Sequence, residues 1–226
     1  MNYLPEMADF EKSYIAGETQ VVWTTLVSDL DTPVAAFLKL AGEEANSFLL
    51  ESVEGGATRG RYSFIGLKPD IIWRCFGNKA QINRNPLANP KSFDECHKST
   101  IHSLRSLAKE SCVDLPHGLP PMATGLIGYL SYDTIRLVEN LPDVNPDTLK
   151  VPDGIFLRPT IMAIFDTIED TVTLITPARP VEGEEPTQAY ESAINRLAET
   201  VSLMESSLPQ KSDYTDHEPP DPVSNI

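Results

Sequence analysis

The sequence lacks the features that mark secreted, zinc-binding and membrane-spanning proteins. Its three cysteines form no C-x-x-C pair and its four histidines form no H-E-x-x-H motif, so neither a disulfide framework nor a zinc site is predicted. No apolar run approaches the roughly 20 residues of a spanning helix, and residues 1–12 carry no signal-peptide pattern. These absences predict a cytoplasmic protein with reduced, buried cysteines and no membrane partner.

Positive charge is scarce as well. The chain has 18 lysine and arginine residues against 33 acidic ones, and the net charge of −15 argues against nucleic acid as a partner. The phosphate-binding patterns G-x-G-x-x-G and G-x-x-x-x-G-K-[ST] do not occur, so no nucleotide cofactor is predicted. Hydrophobic residues make up 41% of the 226 residues, which is enough for a folded core.

The order of the apolar patterns predicts an α+β fold with largely antiparallel sheets, because strands and hairpins occur without regular βαβ alternation. Strands are predicted at Gln20–Leu26, on both sides of a loop within Phe48–Gly66, at Asp70–Phe76, Lys79–Ile82, within Ala123–Asp133, at Gly154–Asp166 and at Thr171–Thr176. After an irregular N-terminus, helices are predicted from Thr32 to Gly42, Ser92 to Lys109, Asp133 to Leu141 and Pro186 to Ser206.

Several local signals sharpen these predictions. Gly77-Asn78 tolerates the positive φ of a tight turn and predicts a β-hairpin around it. Pro159 predicts a bulge or an edge position within its strand, and the glycines of the Ala123–Asp133 pattern predict a close approach of two backbones. In the first long helix, an apolar stripe is predicted at Val34, Phe37, Leu38 and Ala41.

The domain boundary is predicted from composition. Residues 1–206 are expected to form one domain, and residues 207–226 read as a proline-rich acidic linker toward a missing C-terminal domain. The acidic stretches Glu182–Glu185 and Asp213–Asp221 lie in loop and linker, where solvated charge is the better interpretation than metal ligation.

The stretch Phe48–Gly66 is the candidate ligand site. Two apolar runs flank a loop that contains glycine and arginine, which indicates a strand, an open turn and a second strand. Glu51 and Ser52 come where the first strand is expected to end. From local pattern alone, the hydroxyl of Ser52 is a strand-end group that bonds its own backbone, and Arg59 and Arg61 are exposed loop charges.

Four segments together resemble the N-terminal region of anthranilate synthase component I, the chorismate-using subunit of tryptophan biosynthesis. They are TPVAAFLKL at Thr32–Leu40, FLLESVEGG at Phe48–Gly56, GRYSFIGLKP at Gly60–Pro69 and GLIGYLSYDTIRLVENLP at Gly125–Pro142. The resemblance implies an enzyme that converts chorismate and glutamine or ammonia to anthranilate and pyruvate. It also implies that the catalytic residues and Mg²⁺ belong to the missing C-terminal domain, so no catalytic residue, cofactor or metal is expected in this chain, which should be inactive alone.

The same resemblance implies that this chain contributes half of an L-tryptophan feedback site. Ser52 is its expected anchor, with Glu51 and Arg61 as further candidates, and the C-terminal domain supplies the other half. Strand geometry argues against a contact of both Glu51 and Ser52 with one ligand, since adjacent residues of a regular strand point to opposite faces. Either the strand has ended by Ser52, or only one of Glu51 and Ser52 contacts the ligand.

The implied partners are a glutamine amidotransferase subunit in a hetero-oligomer and the missing domain itself. One interpretation of Leu126, Ile127 and Tyr129 is that they face this domain instead of their own core. Two alternatives for the function stay open: the N-terminal part of a related chorismate-using enzyme such as aminodeoxychorismate synthase, and a free-standing amino-acid-binding or interaction module.

Overall fold

The computed structural model of the chain describes residues 1–42, 44–53, 59–120, 122–142 and 147–209. These residues form two five-stranded antiparallel sheets with packed helices, so the predicted α+β class is confirmed. The strands are β1 (Gln20–Val27), β2 (Phe48–Val53), β3 (Arg59–Leu67), β4 (Ile71–Phe76), β5 (Lys79–Asn83), β6 (Asp94–Glu95), β7 (Ile127–Leu130), β8 (Gly154–Arg158), β9 (Ile161–Asp166) and β10 (Thr171–Ala178). The helices are α1 (Met7–Ile15), α2 (Pro33–Ala41), α3 (Thr100–Glu110) and α4 (Pro186–Met204), with a 3-10 helix at Tyr132–Leu137.

The first sheet has the strand order β1-β10-β9-β3-β2. Helices α1, α2 and α4 cover one face, where Ile65, Leu174 and Leu197 are fully buried in the largest core cluster. The opposite face holds Phe64 and Ile164, packed with apolar residues of the segment 113–127. Since β2 is the last strand of this order, its outer edge pairs with no described strand.

The second sheet has the order β6-β5-β4-β8-β7 and packs Trp73 against Leu107 of α3. Its central hairpin β4–β5 turns at Gly77, whose φ is 53°, which confirms the hairpin predicted from Gly77-Asn78. The predicted close backbone approach is confirmed at Gly128, where an added Cβ would overlap the carbonyl oxygen of Ile155. Only glycine fits between β7 and β8 at this position.

The chain crosses between the sheets twice, from β3 to β4 and from β8 to β9. The prediction of one strand from Gly154 to Asp166 is therefore wrong. Pro159 marks neither a bulge nor an edge. It lies between two strands of different sheets, while the neighbouring Thr160 donates hydrogen bonds to the carbonyls of Leu67 and Lys68 at 3.2 and 2.7 Å. The two segments that connect the sheets thus lie side by side and are joined by these hydrogen bonds.

Two helix predictions are corrected by tertiary contacts. Helix α3 begins at Thr100, and not near Ser92, because Asp94 and Glu95 pair with β5 while Asn78 accepts a hydrogen bond from the Thr100 amide at 3.1 Å. The N-terminus is helical because Phe10 and Tyr14, four residues apart, stack at 5.3 Å and pack toward α4. The prediction of an irregular N-terminus is wrong.

Helix α2 keeps its predicted ends but presents a different face. The Thr32 hydroxyl accepts a hydrogen bond from the Ala35 amide at 3.1 Å, as an N-cap does. The helix buries Ala36, Leu40 and Ala41, whereas Val34 and Leu38 of the predicted stripe are about half exposed. Helix α4 begins at Pro186 as predicted and ends at Met204.

The cysteines differ in their environments. Cys75 is buried in the second sheet, and burial raises the pKa of its thiol to about 11. Cys96 is half-buried and Cys112 is exposed, so the prediction of three buried cysteines is wrong for Cys112. No described helix is long and apolar enough to cross a membrane.

Candidate ligand site at the end of β2

The β2–β3 ladder is irregular at Ser52. Glu51 pairs with Ser63, and the next pair joins Val53 to Arg59. One residue of β2, Ser52, therefore faces the three residues 60–62 of β3, which is a bulge in the longer strand. Glu51 and Ser52 are both exposed at this edge of the sheet, and the loop at residues 54–58, with Gly55 and Gly56, lies outside the described residues.

Gly60 makes room for the Ser52 side chain. A Cβ added at Gly60 would overlap the Cβ and hydroxyl of Ser52, and would lie 2.8 Å from the Ser52 carbonyl oxygen. The serine side chain thus occupies the space that any other residue at position 60 would need. Strand β3 therefore fixes the position of the Ser52 hydroxyl, although Ser52 itself lies on an exposed edge of the sheet.

Arg61 is engaged within the protein. Its Nε and Nη2 atoms donate to the carboxylate of Asp166 at 3.0 and 2.7 Å, and its guanidinium carbon lies 4.9 Å from the centroid of the Tyr62 ring. Asp166 also accepts hydrogen bonds from the amides of Ile168 and Glu169. The Arg61 hydrogen bonds hold the pKa of Asp166 below its ordinary value, and the side chain of Arg61 is 45% exposed.

An apolar surface adjoins Ser52 on the face of the first sheet that lies opposite the helices. The rings of Tyr62 and Phe64 lie 6.1 Å apart between centroids, and Phe48 and Trp23 join them in the same cluster. Phe64 is nearly buried, whereas the other three rings are half-buried. The site therefore combines a hydroxyl, an exposed carboxylate and aromatic surface, which are the groups that can orient an amino acid with an aromatic side chain.

Sequence reasoning found Glu51, Ser52 and Arg61 but missed Gly60, Tyr62 and Asp166. The one available signal for Gly60 was its place in the GRYS segment, since an isolated glycine inside a strand pattern indicates close backbone contact. Asp166 reaches Arg61 only through the pairing of β9 with β3, 105 positions apart in sequence. No local pattern reports such a contact.

The described residues offer no constellation for the chemistry of a metal-dependent enzyme. Among them, no group of three or more histidine, cysteine, aspartate or glutamate side chains could hold a metal ion, so they do not fit a Mg²⁺ site. Two clefts of about 400 and 220 Å³ lie on the second sheet, around Cys96 and His97, away from Ser52. Neither cleft is lined by Glu51, Ser52 or Arg61.

The fold defines the class as an α+β domain of two antiparallel sheets, with a candidate ligand site at one sheet edge. No protein-family model matches the chain. It is 42% identical over 205 residues to anthranilate synthase component 1 of Cereibacter sphaeroides, covering 91% of this chain and 41% of that protein. It is 35% identical over 163 residues to anthranilate synthase component 1 of Thermus thermophilus, covering 71% of this chain and 33% of that protein.

A solved structure shares the fold. The crystal structure of anthranilate synthase component I from Streptococcus pneumoniae TIGR4 matches 84% of this chain and 38% of its own with a TM-score of 0.51, at 19% identity. The chain belongs to the anthranilate synthase component I family and corresponds to the N-terminal region of its members, as the four sequence motifs predict. It spans about two fifths of the Cereibacter sphaeroides protein.

Proposed function

We propose that this chain is the tryptophan-sensing and scaffolding region of an anthranilate synthase component I. In the whole protein, chorismate and glutamine or ammonia would become anthranilate and pyruvate in the cytoplasm, with a glutamine amidotransferase subunit as the source of ammonia. The catalytic residues and Mg²⁺ are assigned to the rest of that protein. The family relationship supports this proposal.

The observation that carries the sensing role is the packing of Ser52 against Gly60. Ser52 is exposed, and its side chain lies beside β3 in the space that a side chain at position 60 would fill. We assign the Ser52 hydroxyl to the carboxylate of L-tryptophan, because a hydroxyl can donate to that group. Glu51 is the candidate for the ammonium group, and the surface around Tyr62 is the candidate for the indole.

Arg61 differs from the other members of the proposed site because its Nε and Nη2 atoms already bond Asp166. It can contact a tryptophan carboxylate through Nη1, or it can act indirectly by holding Tyr62, over whose ring it lies. An Arg61→Gln variant separates these roles from that of Ser52. Arg61→Gln also removes the bond to Asp166 and should lower stability in either case, so its tryptophan affinity is compared with that of Asp166→Asn. A direct contact predicts a larger loss of affinity in Arg61→Gln, whereas an indirect role predicts equal losses.

The test uses a chimera in which this chain replaces the matching region of the Cereibacter sphaeroides relative. We expect the chimera to form anthranilate and to be inhibited by L-tryptophan. Ser52→Ala should raise the half-inhibiting concentration of L-tryptophan about tenfold or more, the loss expected for one hydrogen bond to a charged group, without changing the uninhibited rate. Ser202→Ala, on the exposed face of α4, is the matched control.

Equal inhibition of the Ser52→Ala and Ser202→Ala chimeras would contradict the role of Ser52. The 226-residue chain alone supplies half of the proposed pocket, so calorimetry should find little or no L-tryptophan affinity for it. Micromolar binding to the isolated chain would instead favour a free-standing amino-acid-binding module.

An exposed apolar surface supports the scaffolding role. Tyr129 and Leu130 of β7 are 45% and 50% exposed, and Tyr132 of the 3-10 helix is 83% exposed. Leu126 and Ile127 instead pack partly into clusters of their own chain. We assign the exposed surface to contact with the remainder of the longer family protein, since relatives extend well beyond the matched region.

Light scattering tests this assignment on the chain alone. We expect concentration-dependent self-association that Tyr132→Ser reduces, because an uncovered apolar surface of this kind favours contact with another copy. The matched control is Leu30→Ser, at an apolar residue that is 97% exposed between β1 and α2. A clean monomer at all concentrations would count against the assignment.

A further inference from the structure

Three arginines meet where the chain crosses between the two sheets. Arg158 ends β8, Arg179 follows β10, and Arg196 lies on α4. Asp70, between β3 and β4, accepts hydrogen bonds from Nε and Nη2 of Arg158 at 2.7 and 2.9 Å. The same carboxylate lies 3.5 Å from Nη1 of Arg179. One carboxylate is thus shared by two guanidinium groups.

Two further carboxylates near this cluster are already engaged. Glu110 forms a bidentate pair with Arg84 at 2.7 and 2.8 Å and adds a 3.3 Å contact to Arg158. Glu184 accepts a hydrogen bond from Tyr14 at 2.8 Å. Glu199 of α4 also interacts with Arg196, so four guanidinium groups and four carboxylates lie around the junction.

Arg179 has an unfilled donor. Its Nη2 atom is buried and has no hydrogen-bond partner among the described residues, and its side chain is 20% exposed. Burial and the neighbouring Arg158 lower the pKa of Arg179, and burial also lowers the pKa of Arg196. Leaving a buried charged donor without an acceptor is costly, so proteins ordinarily satisfy it.

Arg196 cannot complete the network, since it is a cation and its own nitrogens are directed elsewhere. Its Nε donates to the Thr176 hydroxyl at 3.0 Å, and its Nη2 lies 3.4 Å from the Pro177 carbonyl oxygen. What the cluster lacks is an acceptor for the Nη2 atom of Arg179. Access from solvent exists at Asp70 and Glu110, whose side chains are 32% and 41% exposed.

We propose that this junction is a binding site for a small oxyanion of the inorganic phosphate type, with Arg179 as its principal donor. An oxyanion would accept from the unfilled Nη2 atom of Arg179. Because Asp70 and Arg158 belong to the two crossings, the bound ion would tie the first sheet to the second. This site is separate from Ser52 and does not depend on tryptophan sensing.

The test is calorimetric titration of the 226-residue chain with inorganic phosphate, at constant ionic strength set with sodium chloride. We expect a saturable isotherm with one ion per chain. Arg179→Gln should weaken it by about 10- to 100-fold, the loss expected for a hydrogen bond to a charged group. Arg105→Gln, on the exposed face of α3, is the matched control and should leave the isotherm unchanged.

Thermal unfolding separates binding from a merely structural role. Phosphate should raise the melting midpoint of the wild-type chain and of Arg105→Gln along a saturating curve, and should not do so for Arg179→Gln. Arg179→Lys, which keeps the positive charge but lacks the guanidinium donors, serves the same purpose if Arg179→Gln does not fold. The proposal is overturned if the wild-type chain gives no isotherm, or if the Arg179 variants that fold respond to phosphate as the control does.

Discussion

Replacement of Gly60 by alanine is the sharpest test of how Ser52 is held. The added methyl group would overlap the Ser52 side chain and lie 2.8 Å from its carbonyl oxygen. Ordinary contact begins at about 3.5 Å, and rotation of the serine moves its hydroxyl but not its Cβ, which would lie 2.2 Å from the new methyl group. The backbone of β2 or β3 must therefore shift by roughly 1.3 Å. Overpacking of this kind costs about 1–3 kcal/mol. For a chain of this size, each kcal/mol lowers the melting midpoint by about 2–4 °C.

A double-mutant cycle assigns this cost to its source. Ser52→Gly removes the side chain that the new methyl group overlaps but leaves the carbonyl contact, so Gly60→Ala should cost about 1 kcal/mol less in that background. Urea unfolding of the four proteins, wild type, two single variants and the double variant, measures the coupling. Additive effects would refute the reasoning, because they would mean that Gly60 is not needed to accommodate Ser52.

Gly66→Ala is the matched control on the same strand. There the added methyl group would overlap the ring of Phe48 and no backbone atom. The ring is half-buried and can turn aside, so we expect a smaller loss of stability and no coupling to Ser52→Gly. A loss as large as that of Gly60→Ala would show that the stiffness of β3, and not the serine, sets the cost.

Two further predictions concern buried polar contacts. Ser103→Ala removes the acceptor of the Trp73 indole nitrogen, now at 3.0 Å, and should cost about 1–3 kcal/mol by urea unfolding, whereas Ser106→Ala on the exposed side of α3 should cost little. Asp166→Asn should lower the melting midpoint at neutral pH by weakening the bond to Arg61. Because the folded pKa of Asp166 lies below its ordinary 3.8, this difference should shrink as the pH falls below about 4, and a pH-independent difference would contradict it.

Elements whose formation depends on neighbouring residues alone could be predicted from the sequence. The hairpin at Gly77-Asn78 and the cap of α2 at Thr32 depend on neighbouring residues alone, and both are confirmed. The same is true of α4, whose apolar stripe recurs at helical spacing and packs on the first sheet. Such elements need no knowledge of the rest of the chain.

The errors come from contacts between distant segments. Nothing in the run from Gly154 to Asp166 shows that its halves join different sheets, since both halves read as apolar strand. Likewise, Ser92 and Glu95 form a valid capping-box pattern, but pairing of Asp94 and Glu95 with β5 keeps this segment extended. In each case tertiary pairing decided between local alternatives of similar energy.

Whether Glu51 and Ser52 can serve one ligand depends on the same kind of distant information. The objection from strand alternation assumes a regular ladder, and the ladder is regular only up to the pair of Glu51 with Ser63. At Ser52 three residues of β3 face one residue of β2. Strand β2 therefore continues past Ser52, but its pairing with β3 no longer forces Glu51 and Ser52 to opposite faces of the sheet. Both side chains are exposed at this edge, and Gly60 fixes one of them. The bulge therefore removes the geometric reason for choosing between the two residues, and a Glu51→Gln chimera becomes as informative about tryptophan binding as Ser52→Ala.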